Sequence, residues 1–250
     1  MTMTGVSSSM TAASGSARGG VEIRRLHKSF GGVRAVWDVS FTVPAGKTVG
    51  LIGPNGSGKT TLLNLLAGYY KPDAGEILYG GTDLAGLPPE RIARAGVVRT
   101  WQDPRIVPDL TVAENVAIGA LARGAGMPND AARRALLAES GLTAVADTPA
   151  GSLPYGQQKL VAIARSLAAS PAVLLLDEPL AGLSAFERQH VVALIQQFRT
   201  TGTVLLVDHA FGVIAQLCDH VVVLNTGTKL TEGPPGVISK DPSVIEVYFG

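Results

Sequence analysis

Cysteine is almost missing from this chain: Cys218 stands alone, which excludes an internal disulfide and suits a reducing compartment. Its ordinary role is that of a small buried apolar side chain. Charge is scarce as well. Only 16% of residues are charged, and 21 basic side chains nearly cancel 20 acidic ones, so no bulk field draws the chain to nucleic acid or to an anionic membrane. No apolar run approaches the roughly 20 residues of a membrane span, and the N-terminus lacks the hydrophobic core of a signal peptide. The expected location is therefore the cytoplasm. What is present is apolar material, 46% of 250 residues, enough to fill one large α/β domain or two small ones.

Residues 1–20 are dominated by Ser, Thr, Gly and Ala and are expected to be disordered. No internal repeat follows. Short apolar strands are expected at 21–25, 35–43 and 48–52, a helix at 59–68 and, after a Gly/Pro-rich connection, a short helix at 88–94. The middle of the chain reads as helices at 112–123, 130–140 and 157–169. Strands return at 172–177, 203–208 and 220–225, with a helix at 186–199. The pattern predicts an α/β core interrupted by a helical insert.

The chemistry is concentrated in Gly53-Pro54-Asn55-Gly56-Ser57-Gly58-Lys59-Thr60, which fits the phosphate-loop pattern G-x-x-x-x-G-K-[ST] without mismatch. It lies between an expected strand and an expected helix, as the motif requires. Glycines let successive N–H groups curl around phosphate oxygens, and the helix start adds its positive dipole end. Lys59 would reach the β- and γ-phosphates and Thr60 a Mg²⁺ ion. A second candidate is Val173-Leu174-Leu175-Leu176-Asp177-Glu178, a buried strand ending in two carboxylates where parallel sheets bind ligands. Asp177 would hold Mg²⁺, directly or through water, and Glu178 would polarise an attacking water as a general base.

Leu153-Pro154-Tyr155-Gly156-Gln157-Gln158 precedes a helix and stands about twenty residues before Asp177. Here the chain resembles the ATP-binding subunits of ABC transporters, whose L-S-G-G-Q signature occupies this place. The resemblance covers nearly all of residues 21–250. It puts Phe30 where an aromatic stacks on adenine, Gln102 where the Q-loop glutamine contacts metal and water, and His209 where the switch histidine stands. Thr61 joins the nucleotide-binding residues, and Leu153, Tyr155, Gly156 and Gln157 would face a partner's ATP. The implied fold is a P-loop NTPase of ABC type: a RecA-like mixed sheet, an antiparallel β subdomain and a helical subdomain at roughly 103–170. A finer resemblance is to the uptake ATPases for branched-chain or other hydrophobic amino acids. It is carried by Leu87-Pro88-Pro89, Arg91-Ile92-Ala93-Arg94, Arg99-Thr100-Trp101-Gln102, Tyr155-Gly156-Gln157-Gln158 and the ending Val244-Ile245-Glu246-Val247-Tyr248-Phe249-Gly250.

That resemblance implies ATP and Mg²⁺ as ligands and ATP hydrolysis coupled to transport, from the cytoplasmic face of the plasma membrane. The implied partners are two transmembrane permease subunits, an external substrate-binding protein indirectly, and a second ATPase subunit, either a different chain or a second copy; no nucleic acid is implied. Departures stand out. Pro154 replaces the signature serine, Ser184 the D-loop aspartate, and Asp208 and Ala210 the acidic residues usual on either side of the switch histidine; the stretch 116–152 is short. Other cargoes (urea, short amides, lipid) remain open, as do a soluble ABC ATPase and a non-hydrolysing structural subunit. A P-loop GTPase would need the N/T-K-x-D motif, which the sequence lacks.

Overall fold

The structure, a computed structural model, describes residues 19–122 and 130–249. The tail expected at 1–20 therefore lies almost wholly outside the described residues, as do Arg123 and Gly250. The chain runs β1 (Val21–Phe30), β2 (Val33–Val43), β3 (Thr48–Ile52), α1 (Lys59–Leu66), β4 (Ala74–Tyr79), β5 (Thr82–Asp83), α2 (Pro89–Ala95) and β6 (Val97–Arg99). It continues through α3 (Val112–Leu121), α4 (Asp130–Glu139), α5 (Tyr155–Ala168), β7 (Val173–Asp177), α6 (Ala185–Phe198) and β8 (Thr203–Val207). It ends with α7 (Phe211–Leu217), β9 (His220–Asn225), β10 (Thr228–Gly233), α8 (Pro235–Ile238) and α9 (Pro242–Phe249).

Two sheets organise these elements. The six-stranded sheet has the order β10-β9-β3-β8-β7-β6, parallel except for the β10 edge. Its central strands are buried at every residue, as strands covered on both faces must be. Alternation sorts their side chains: Leu174 and Leu176 face a core shared with α3, α5, α6 and α7, while Val173 and Leu175 face a core shared with α1, α2 and the second sheet. That second sheet is antiparallel, with the order β2-β1-β4-β5.

The sheets meet at the phosphate loop. Trp37 N–H donates to the Gly227 carbonyl at 2.7 Å, and Gly227 N–H donates to the Ser57 carbonyl at 3.1 Å. Helices α3, α4 and α5 occupy the chain between β6 and β7, which matches the expected helical interruption of an α/β core. The stretch read from sequence as a plain Gly/Pro-rich connection contains β4 and β5. Only Ile77 of β4 is fully buried, so the strand shows no apolar run and forms by pairing with β1. The first strand also extends beyond residue 25, through a bulge at Arg25, whose φ is 44°.

Candidate functional site

The phosphate loop leaves β3 and enters α1 at Gly58, whose φ of 102° and whose contact with the Ala35 carbonyl leave no room for a Cβ. No side chain caps α1, so its leading N–H groups remain for an anion. Lys59 is nearly buried and folds back on the loop. Its ammonium donates to the carbonyls of Gly53 (2.7 Å) and Pro54 (2.9 Å), with Ser57 Oγ at 3.4 Å. Burial lowers its pKa below the usual lysine value, opposed by the charges of Glu178 and Asp177. Asn55, Gly56, Gly58, Lys59, Thr60, Thr61 and Glu178 line one open cleft of about 410 Å³, together with Val33 and Arg34 of β2. Phe30 is not among those lining residues: it lies 42% exposed at the end of β1, edge-on to Tyr70 with ring centroids 5.1 Å apart.

Two residues distant in sequence converge on the Glu178 carboxylate. Gln102 Nε2 donates to Glu178 Oε2 at 2.9 Å, and His209 Nδ1 lies 3.3 Å from Glu178 Oε1. Glu178 sits just past β7, in the left-handed region at φ 45°, with its N–H bonded to the Val207 carbonyl. Asp208 is buried and accepts from Ala210 N–H at 2.8 Å, which shapes the turn that presents His209.

Asp177 has a partner the sequence reading did not anticipate. Arg99 of β6 donates to its Oδ2 at 2.8 Å, with both side chains almost fully buried. The same guanidinium donates to Asn64 of α1 and stacks on Trp101, 4.2 Å from the ring centroid. Arg105 stacks on Trp101 as well, at 3.7 Å. One cation thus ties the phosphate-loop helix, the acidic strand end and the Gln102 loop. An apolar-periodicity argument treats arginine as a surface residue, so only its place in a three-residue strand beside β7 could have shown this.

The signature segment starts α5. Pro154 occupies the N-cap position with no side-chain cap, so the first N–H groups of the helix remain for a ligand. Leu153 is buried, Tyr155 exposed and Gln157 half-buried, while Gln158 holds the Leu153 carbonyl at 2.8 Å. Gly156 is packed against the Glu187 carboxylate so closely that a Cβ would overlap it. Glu187 in turn forms a reciprocal capping box with Ser184: Ser184 Oγ donates to Glu187 Oε2 (2.7 Å) and accepts from Glu187 N–H (3.3 Å). The D-loop serine is therefore committed to capping its own helix.

The C-terminal helix also reaches the site. Tyr248 lines an apolar pocket with Ile52 and His209.

Comparison with known proteins agrees with this geometry. The family model described as ABC transporter matches residues 36–181. The chain is 39% identical over 248 residues to the high-affinity branched-chain amino acid transport ATP-binding protein BraF of Pseudomonas aeruginosa, covering 92% of this chain and 97% of that one. It is 37% identical, with the same coverage, to LivG of Escherichia coli, which carries the same description. Among solved structures, a nucleotide-free ATP-binding cassette of an ABC transporter superposes with a TM-score of 0.82 at 28% identity, covering 93% of this chain and 99% of that one. A cassette in its ADP conformation superposes at 0.83 with 29% identity and the same coverage. No helix among the described residues is long and apolar enough to cross a membrane. The chain belongs to the ABC transporter family, as one of its ATP-binding, ATP-hydrolysing subunits.

Proposed function

We propose that this chain powers uptake of branched-chain or other hydrophobic amino acids, docked on two permease subunits at the cytoplasmic face of the membrane. The observation carrying this cargo class is that the likeness to BraF and LivG runs over nearly the whole length of both chains. The ending Val244-Ile245-Glu246-Val247-Tyr248-Phe249-Gly250, which hydrolysis itself does not demand, carries part of the same resemblance.

The site residues take the following roles in this proposal. Lys59 leaves the loop carbonyls for the β- and γ-phosphates of ATP, where its charge is better matched. Phe30 stacks on adenine at the open end of β1, with Tyr70 behind it. Glu178 holds the attacking water and accepts its proton as the water oxygen bonds to the γ-phosphorus and the bond to ADP breaks. Gln102 and His209, already against that carboxylate, keep it aimed, and His209 stabilises charge on the γ-phosphate. Thr60, exposed in the first turn of α1, and Asp177, at the end of β7, suit Mg²⁺, and Gln102 offers its amide oxygen because its N–H is engaged by Glu178. When bound, the ion would neutralise charge on the β/γ-phosphate oxygens.

The ATP of each cassette is completed by the signature segment of a second cassette. That partner is proposed to be a different chain, because Pro154 donates no hydrogen bond and Ser184 is tied to Glu187, which leaves a weakened half-site to offer. The test is to isolate the membrane subunits bound to this chain and reconstitute the complex in vesicles. ATPase activity should rise when leucine or isoleucine is supplied through the binding protein. Stimulation by urea or short amides, with none by branched-chain amino acids, would overturn the cargo class and leave the ATPase assignment standing.

A further inference from the structure

Lys159 lies one turn into α5 and is 2% exposed, a position from which a cation is expelled unless its donors are matched. No carboxylate pairs with it among the ion pairs of the described residues. Its ammonium is instead held by two main-chain carbonyls, Glu178 C=O at 2.6 Å and Ala181 C=O at 2.9 Å. Burial lowers its pKa, and the charges of Glu178, Asp208, Asp103 and Asp177 act the other way. The carbonyls it takes belong to the strained corner of the site. Glu178 has φ 45°, a conformation that side-chain-bearing residues rarely adopt without outside support. β8 holds the Glu178 N–H through the Val207 carbonyl at 2.9 Å, while its C=O accepts from both the Lys159 ammonium at 2.6 Å and the Ala181 N–H at 3.2 Å. Four residues earlier, on the same face of α5, Tyr155 Oη donates to the Gln102 carbonyl at 3.2 Å. One helix face therefore grips both the Gln102 loop and the Glu178 corner.

We propose that Lys159 is a positioning residue for ATP hydrolysis: carried on the signature helix, its ammonium locks the main chain at Glu178 and Ala181 and so sets where the Glu178 carboxylate stands. The consequence is a link within one chain. The helix start that meets a partner's nucleotide is fastened, through Lys159, to the carboxylate that serves this chain's own ATP. The proposal rests on Glu178 being the water-holding carboxylate.

Single-turnover hydrolysis of MgATP by the full chain assembled with its partner cassette, with affinity for a fluorescent ATP analogue measured in parallel, tests it. Lys159→Met should slow hydrolysis about 10–100-fold, the scale of a displaced catalytic group, with analogue affinity unchanged, because Lys159 touches nothing in the phosphate loop. Lys159→Arg should restore most of the rate, since a guanidinium has donors for both carbonyls. In a Glu178→Gln background the further loss from Lys159→Met should be under about threefold, because the two changes remove one function. A loss of full size in both backgrounds would overturn the proposal. So would parallel losses of binding and rate, or failure of both Lys159→Met and Lys159→Gln to fold, which would make the lysine purely structural. Full activity of Glu178→Gln itself would remove the Glu178 assignment, an outcome read separately from the Lys159 arms.

Discussion

Replacing Arg99 by methionine removes the cation from the most deeply buried ion pair in the site. The arginine and aspartate side chains are 2% and 7% exposed, so water cannot take over from the lost partner. Asp177 would be left as an uncompensated carboxylate at the end of a fully buried strand, and Asn64 would lose its donor. Breaking a buried pair from one side costs about 3–5 kcal/mol, a large share of the roughly 5–15 kcal/mol that holds a domain folded. With a slope of about 2 kcal/mol per molar urea, the midpoint should fall by about 1.5–2.5 M. The assay is urea unfolding of the nucleotide-free chain followed by circular dichroism. Arg99→Lys, which keeps the charge but not the fork that reaches two partners, should lose about 1–2 kcal/mol. Pairing Arg99→Met with Asp177→Asn should recover much of the loss, because the stranded charge is then gone. A loss below about 1 kcal/mol for Arg99→Met, or simple additivity in the pair, would refute the reasoning.

Lys59→Ala should weaken ATP binding by about 10–100-fold, from charge-assisted bonds worth about 1.5–3 kcal/mol each; calorimetry with equal affinities for both proteins would contradict it. Pro154→Ser should raise turnover of the assembled complex, since a hydroxyl is returned to the composite site, and should add about 0.5–2 kcal/mol to stability as a true N-cap. Unchanged turnover would show that the backbone donors of α5 suffice. Burial pushes the Cys218 thiol up to about 12, so it should resist thiol reagents at pH 8 until the chain unfolds. Because the folded chain then holds a proton the unfolded chain releases near pH 9, this group's contribution to stability is complete below pH 9 and is lost as pH rises towards 12; a melting temperature flat across that window in the wild type but not in Cys218→Ala would contradict it.

Where residue type and local setting coincide, the sequence was legible. The strand, glycine loop and helix around Lys59 announce themselves, and so does the apolar run ending in Asp177 and Glu178, because a strand buried on both faces must be apolar throughout. β4, β6 and β10 were missed for the opposite reason. β4 and β10 are largely exposed, β6 has three residues, and their pairing is settled by neighbours far away in sequence. Arg99 and Lys159 were missed because charged side chains are read as surface until a structure shows partners, and those partners include Asp177, 78 residues from Arg99, and the Glu178 carbonyl, 19 residues from Lys159. Convergence of Gln102, Glu178 and His209 was implied only by resemblance. The topology supplies its cause: β7 and β8 are neighbours, and both end at the same edge.

Single-turnover hydrolysis by Glu178→Gln, set beside its ATP affinity, tests the central claim most directly. Removing a general base costs roughly 10²–10⁴-fold, so the rate should fall by that factor while ATP remains bound as tightly as in the wild type. A rate equal to that of the wild type would contradict the account and place the water-holding role on another group.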